Sequence, residues 1–325
     1  MSGRRVAVFE PIDPAGLKVL ERSAEMLRLW ELPEDQRQDA ARGCQGWLVR
    51  VYPMPADLIG SAPDLKIIAK HGVGVDNIDV AAATAGRVIV TSTPGANSLA
   101  VAEHAVAMML TLAKKLPNSD RMVREGRFGD KFGLATLEVS GKTIGLLGCG
   151  RIGSLVTSIC RNGFGMRVLA YDPYLSDEAL AGMGAERAAT LEQLARESDV
   201  VSVHAPLTPE TRHVVNAEFL TQMRSTAFLI NCARGELVDS RALADALADG
   251  TIAAAGIDVF EPEPPADDDP LLRQPNAIFS PHVANASAES LVRMAVTAAE
   301  EILAVLDGNQ PRYALNVPFR TRSSS

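Results

Sequence analysis

The chain has 325 residues, 47% of them hydrophobic, and a formal net charge of −8. That length suggests two domains, each long enough to bury a sizeable core. The acidic balance gives no electrostatic ground for nucleic acid or an anionic membrane as a partner. Residues 1–5 run straight into an apolar strand, and no later apolar run is long enough to cross a bilayer, so a cytoplasmic protein is expected. The four cysteines, Cys44, Cys149, Cys160 and Cys232, lie far apart without CxxC or Cys/His spacing, which points to reduced thiols and no metal site. Neither Cys149 nor Cys232 has a base partner at motif distance, so a nucleophilic role is not expected of either.

Strands at 6–9, 26–30, 47–51, 66–69 and 88–91 alternate with helices at 15–22, 34–43, 56–61 and 79–85. Such βα alternation predicts a parallel sheet with helices on both faces. The turn cluster Thr93-Pro94-Gly95-Ala96-Asn97 precedes a long apolar helix at 99–115, with Ser98 as N-cap and Pro117 as its stop. A polar link follows. The second αβ unit then opens at Gly141, with later strands at 200–204, 227–231, 254–258 and 277–280. A last helix at 286–306 and a tail to Pro318 are expected to return to the first unit, and 320–325 to fray. The fold class is thus α/β: two doubly wound parallel-sheet domains, Rossmann-like or flavodoxin-like, with a cleft between them. Residues 1–97 and 286–325 would form a discontinuous substrate-binding domain, and residues 98–285 a dinucleotide-binding one.

The second unit opens with a strand at 143–147, the turn Gly148-Cys149-Gly150-Arg151-Ile152-Gly153, and a helical pattern reaching Asn162. In such a turn Gly148 permits the bend, Gly150 lets a diphosphate approach the backbone, and Gly153 lets helix pack on strand. The next strand, 167–171, ends in Asp172, whose carboxylate can accept the hydroxyls of an adenosine ribose. A 2′-phosphate would meet its charge, which favours NAD over NADP.

A nicotinamide enzyme acting on a hydroxyl or carbonyl needs a proton donor near neutral pH and a cation for the substrate. Three strand ends offer candidates: His282 in Ser280-Pro281-His282, Glu263 in the proline-rich loop after the preceding strand, and Arg234 in Asn231-Cys232-Ala233-Arg234-Gly235. Glu263 could fix the histidine's tautomer, and the planar fork of Arg234 could hold a 2-oxo acid. Taken singly, each is more often a surface or structural group. His104, in the apolar helix, and His213, in a helical segment, read as packing or surface residues.

With these residues in place the chain resembles the D-isomer-specific 2-hydroxyacid dehydrogenases, in their phosphoglycerate dehydrogenase and hydroxypyruvate/glyoxylate reductase branch. The likeness is carried by His71-Gly72-Val73-Gly74-Val75-Asp76-Asn77, Thr93-Pro94-Gly95-Ala96-Asn97, Val101-Ala102-Glu103-His104, the glycine turn, the segment around Arg234, Gly256-Ile257-Asp258-Val259-Phe260 and Ser280-Pro281-His282. It implies that Arg234 binds substrate, that His282 is the acid/base with Glu263 as its partner, and that the amides of Val73 and Gly74 hold the substrate carboxylate. It also implies NAD as cofactor, with Arg151, Ile152, Asp172, His204, Ala205, Pro206, Cys232 and Asp258 around it, and hydride transfer to or from C2 of a small D-2-hydroxy acid. Arg50 matches a position near the substrate phosphate in phosphoglycerate dehydrogenases; it equally reads as a strand-end surface group. Lys70 or His71 could add charge there.

Asn285 and Ser287 depart from the glycine and threonine common in the family. The chain's length leaves no room for the regulatory domain that some relatives carry. A homodimer built partly on the helix at 99–115 is expected. The alternative on the same fold is an NAD(H)-sensing corepressor.

Overall fold

A computed structural model of the chain describes residues 4–316. It divides into two compact units, one made of Met1–Asn97 with Ala286–Ser325 and the other of Ser98–Asn285. In chain order, the first unit runs β1 (Arg5–Val8), α1 (Pro14–Glu21), β2 (Glu25–Arg28), α2 (Glu34–Arg42), β3 (Gly46–Val49), α3 (Ala56–Gly60), β4 (Ile67–Lys70), α4 (Val80–Ala85) and β5 (Ile89–Thr91). All five strands pair in parallel, in the order β2-β1-β3-β4-β5. β3 reads Gly-Trp-Leu-Val and is buried throughout, as expected of a central parallel strand covered on both faces.

The chain then enters the second unit through α5 (Ser98–Ala113) and α6 (Leu116–Arg124). Pro117 therefore does not stop a helix. Lys115 turns the chain with φ +48°, and Pro117 sits in the first turn of α6, where its missing N–H costs nothing. The link expected to be irregular is largely this helix and a 3-10 turn at Phe128–Gly133, while Ser98 lies inside α5 rather than capping it.

Next come β6 (Thr143–Leu147), α7 (Arg151–Phe164), β7 (Arg167–Tyr171), α8 (Asp177–Met183), β8 (Glu186–Arg187), α9 (Leu191–Glu197), β9 (Val200–Val203), α10 (Ala217–Gln222), β10 (Phe228–Asn231), α11 (Ser240–Ala248), β11 (Ala254–Ile257) and β12 (Ala277–Phe279). Their parallel sheet has the order β12-β11-β10-β9-β6-β7-β8. Strand order reverses between β6 and β9, so a crevice opens at the carboxyl ends of those two strands. Two apolar clusters flank this sheet, one packing α5 and α7 on it and the other α9, α10 and α11.

The chain returns to the first unit in α12 (Ala288–Leu306), capped by Ser287. Ala295, Ala298, Ala299, Ile302 and Val305 of α12 pack with Val6, Val8, Leu48 and Ile67 of the sheet. The tail follows it there. Leu315 donates to the Val90 carbonyl, Asn316 accepts from the Val90 amide, and buried Glu301 holds Arg312 and the Tyr313 amide. The expectation for residues 320–325 lies outside the described residues. Among the described residues no helix is long and apolar enough to cross a membrane, and no group of three or more His, Cys, Asp or Glu could hold a metal ion.

Candidate active site

The crevice of the second sheet begins at the glycine turn. After β6, Gly148 takes φ +91°, and a Cβ there would lie 2.8 Å from the Ala205 amide nitrogen, so the bend and the neighbouring strand end both require glycine. At Gly153 a Cβ would fall 2.6 Å from the Gly148 carbonyl oxygen, which fits close packing of α7 on the turn. Gly150 caps α7 without any side-chain hydrogen bond, and a Cβ there would meet nothing within 4 Å. The 14-residue helix thus presents its first-turn N–H groups to open space, with Arg151 exposed and Ile152 packed toward the core. An open cradle of this kind fits a diphosphate.

Asp172, at the end of β7, is buried. Its Oδ2 accepts the Cys149 amide at 2.9 Å and its Oδ1 the Tyr174 amide at 3.0 Å, which fixes the carboxylate beside the turn while leaving each oxygen further acceptor capacity. His204, Ala205 and Pro206 follow β9. The His204 Nε2 lies 2.9 Å from Ser202 Oγ, its Nδ1 is buried without a partner, and burial pushes its pKa down to about 4, so the ring is neutral. Cys232 is buried with its Sγ 3.9 Å from Met108 Sδ, and burial raises its thiol pKa far above the ordinary value. Such a thiol is inert.

Arg234, Glu263 and His282 all belong to this unit. The loop after β10 is braced by Asn231, whose Nδ2 donates to the Arg234 carbonyl at 2.8 Å and whose Oδ1 accepts the Ala233 amide at 3.0 Å. Glu263 bridges its own loop and the next: Oε1 accepts the Phe260 amide at 3.0 Å, and Oε2 lies 2.8 Å from His282 Nδ1. Burial works to raise the Glu263 pKa, but the bonds from His282 and Phe260, with the charges of His282 and Arg234, bring it below the ordinary value. The carboxylate is therefore ionised, and His282 Nδ1 must be the donor, leaving Nε2 as the outward nitrogen. A depression of about 370 Å³ beside the pair is walled by Phe260, Pro264, Pro265 and Phe279.

His282 has φ +52°, a left-handed conformation that costs a non-glycine residue of order 1 kcal/mol or more and persists only when its surroundings enforce it. Asp258 supplies that enforcement. Its carbonyl accepts the His282 amide at 2.7 Å, its Oδ1 the Val283 amide and its Oδ2 the Ala284 amide, both at 2.9 Å, and Oδ1 also takes the Ser280 hydroxyl. The residue is 0% exposed. The Asp258 carboxylate is spent on the loop that carries His282. Sequence reasoning missed this because the four partners are known only once β11 and β12 are adjacent. His213 lies not in a helical segment but in a turn at φ +49°, where it is a half-exposed surface group with Nε2 2.8 Å from Glu261 Oε2, and Arg212 pairs with the same carboxylate.

Arg50, Val73 and Gly74 belong to the first unit. Arg50 follows β3; its amide and those of Val51 and Tyr52 all donate to the Glu10 carboxylate, and its Nη1 donates to the Pro11 carbonyl at 2.9 Å. Lys70 Nζ donates to the Arg50 carbonyl and to Asn77 Oδ1. His71 does not add charge: burial, then the Arg50 charge, push its pKa down to about 4. Val73 is exposed, and neither its amide nor that of Gly74 donates to another group among the described residues.

Comparison with known proteins bears on this geometry. Residues 106–284 match the model of the NAD binding domain of D-isomer specific 2-hydroxyacid dehydrogenases. A glyoxylate reductase of Korarchaeum cryptofilum is 40% identical over 320 residues, covering 96% of each chain. A D-3-phosphoglycerate dehydrogenase of Methanocaldococcus jannaschii is 36% identical over 97% of this chain, which spans 60% of that relative's length. Among solved structures, an NADPH-dependent glyoxylate/hydroxypyruvate reductase of Sinorhizobium meliloti, in complex with NADP and malonate, superposes with a TM-score of 0.84 at 32% identity over 99% of this chain and 100% of that one. The chain belongs to the D-isomer specific 2-hydroxyacid dehydrogenase family.

Proposed function

We propose that the protein is an NAD-dependent oxidoreductase that transfers a hydride between nicotinamide and C2 of a small D-2-hydroxy acid or 2-oxo acid. The observation that carries this reading is the 2.8 Å pair of His282 Nδ1 and Glu263 Oε2 at the carboxyl edge of a sheet with a dinucleotide cradle. When bound, the dinucleotide supplies or accepts the hydride. The α7 N-terminus with Gly148, Gly150 and Gly153 would take its diphosphate, Asp172 its ribose, and the strand ends at His204, Ala205, Pro206 and Cys232 its remaining surface. In the reductive direction His282 Nε2–H gives its proton to the oxygen on C2, and Glu263 steadies the imidazole as its charge changes. Arg234 holds the 2-oxo acid, and the amides of Val73 and Gly74 take its carboxylate.

The substrate belongs to the glyoxylate, hydroxypyruvate or phosphohydroxypyruvate group, in keeping with the glyoxylate reductase, glyoxylate/hydroxypyruvate reductase and D-3-phosphoglycerate dehydrogenase among its relatives. Arg50 would recognise a second anionic group.

The test is NADH oxidation by the purified protein on a panel of these acids, with pyruvate and sulfopyruvate added. We expect turnover on at least one acid, and a loss of about 10²–10⁴ in kcat for His282→Ala. Arg50→Ala should weaken phosphohydroxypyruvate more than glyoxylate; an equal loss on both would remove its specificity role. NADH binding without reduction of any acid would count against the enzyme reading and turn attention to a binding protein.

A further inference from the structure

We infer that His104 is a positioning residue for the acid/base loop, acting through Ser280 and Asp258; this rests on the reading of His282 given above. His104 lies on α5, and its Nε2 is 2.9 Å from Ser280 Oγ and 3.8 Å from Asp258 Oδ1. Ser280 Oγ in turn bonds Asp258 Oδ1. A carboxylate in this setting only accepts, so the serine hydroxyl donates to Asp258 and its remaining lone pair accepts from the histidine. That fixes the tautomer: His104 carries a proton on Nε2. The direction of donation then runs one way, from His104 to Ser280 to Asp258.

Asp258 is the group that holds His282, by its carbonyl on one side and by the Val283 and Ala284 amides on the other. Ser280 lies two residues before His282 in the same loop. His104 therefore ties the start of the loop to a helix that is anchored elsewhere. α5 is packed against β10 and β11, with Met108 so close over Gly256 that a Cβ added there would fall 3.1 Å from it, and with its Sδ 3.9 Å from Cys232 Sγ. Half-buried Ser280 is thus held from both sides, by Asp258 and by His104, and a network of this kind specifies one arrangement only while every member is satisfied. Among the described residues His104 bonds Ser280 and pairs with Asp258 rather than with His282 or Glu263, so its effect is on where His282 points.

The test uses the full chain and two variants that separate hydrogen bonding from packing. His104→Leu fills similar space without a donor, and His104→Gln restores an N–H donor. For His104→Leu we expect kcat on the preferred 2-oxo acid to fall about tenfold to a hundredfold, the scale of a slightly misplaced catalytic group, with NADH affinity unchanged. His104→Gln should recover most of the rate. Ser280→Ala should lose a similar amount, and the Ser280→Ala/His104→Leu pair should be no worse than either alone.

An independent readout is the His282 Nδ1–H proton signal in NMR, hydrogen-bonded to Glu263. It should be sharp in the unaltered chain and in His104→Gln and broadened in His104→Leu, whether or not any acid is turned over. If His104→Leu keeps both the rate and the sharp signal, or if Gln fails as Leu does with equal loss of thermal stability, the inference is overturned. If no acid is reduced but the signal behaves as described, the positioning stands and the catalytic reading alone has failed.

Discussion

Asp172 serves two needs with one carboxylate. It holds the turn by accepting the Cys149 and Tyr174 amides, and in the cofactor placement proposed above its charge would meet a 2′-phosphate. Substitution to asparagine removes the charge and keeps one acceptor oxygen, enough for the Cys149 amide, while the bond to the Tyr174 amide is lost. We expect Asp172→Asn to retain NADH binding and to narrow the preference for NADH over NADPH by about tenfold, on the scale of one close charge pair. The ratio of kcat/KM with the two cofactors measures it; an unchanged ratio means the charge is not the discriminator.

At this scale the sequence was most readable where chemistry and local spacing coincide. Gly148, Asp172, Glu263 and His282 sit in short motifs with their own strand or loop context. Asp258 and His104 were not readable as loop anchors, since each acts on partners remote in sequence and nothing in the residue types shows which oxygen is spent on which amide.

Among the elements, α6 is where sequence and structure differ most. Proline was read as a stop because it breaks helix interiors; at the start of a helix it is tolerated, and only the left-handed turn at Lys115 shows which case holds. The apolar residues of α5, expected to serve a dimer, are mostly buried within their own unit. α6 buries none of its residues, and Leu116, Val123, Phe128 and Phe132 are exposed on it and the turn that follows. Phe132 is 90% exposed, which a folded chain rarely leaves uncovered. We therefore expect a homodimer in light-scattering chromatography, with twice the 34.6 kDa chain mass. Val123→Asp/Phe132→Asp should weaken it by at least about thirtyfold, the worth of one aromatic anchor, while leaving the far-ultraviolet circular dichroism unchanged. A native chain that runs as a monomer at micromolar concentration would sink this assignment.

For the whole molecule, each unit carries a histidine whose pKa burial pushes down to about 4: buried His71 in the first, and in the second His204, half-buried with its Nδ1 enclosed. Unfolding returns both to an ordinary value near 6.5, so between pH 6.5 and 4 the unfolded chain binds protons that the folded chain refuses. Stability is then unaffected above pH 6.5 and falls as pH drops through that window. For His71, which is 5% exposed, the full loss is about 3 kcal/mol. Glu263 acts lower on the scale. Its folded pKa lies below the ordinary glutamate value, so its contribution is present above that value and is lost as pH falls through the folded one. Two units can melt separately, so urea unfolding should be followed by probes in both. The expected result is a midpoint that falls steadily from pH 6.5 to pH 4, and a visibly shallower fall in His71→Gln, whose amide cannot titrate. Equal slopes in the two proteins would mean that His71 is protonated in the folded state after all, and that the charge beside Arg50 is larger than its burial implies.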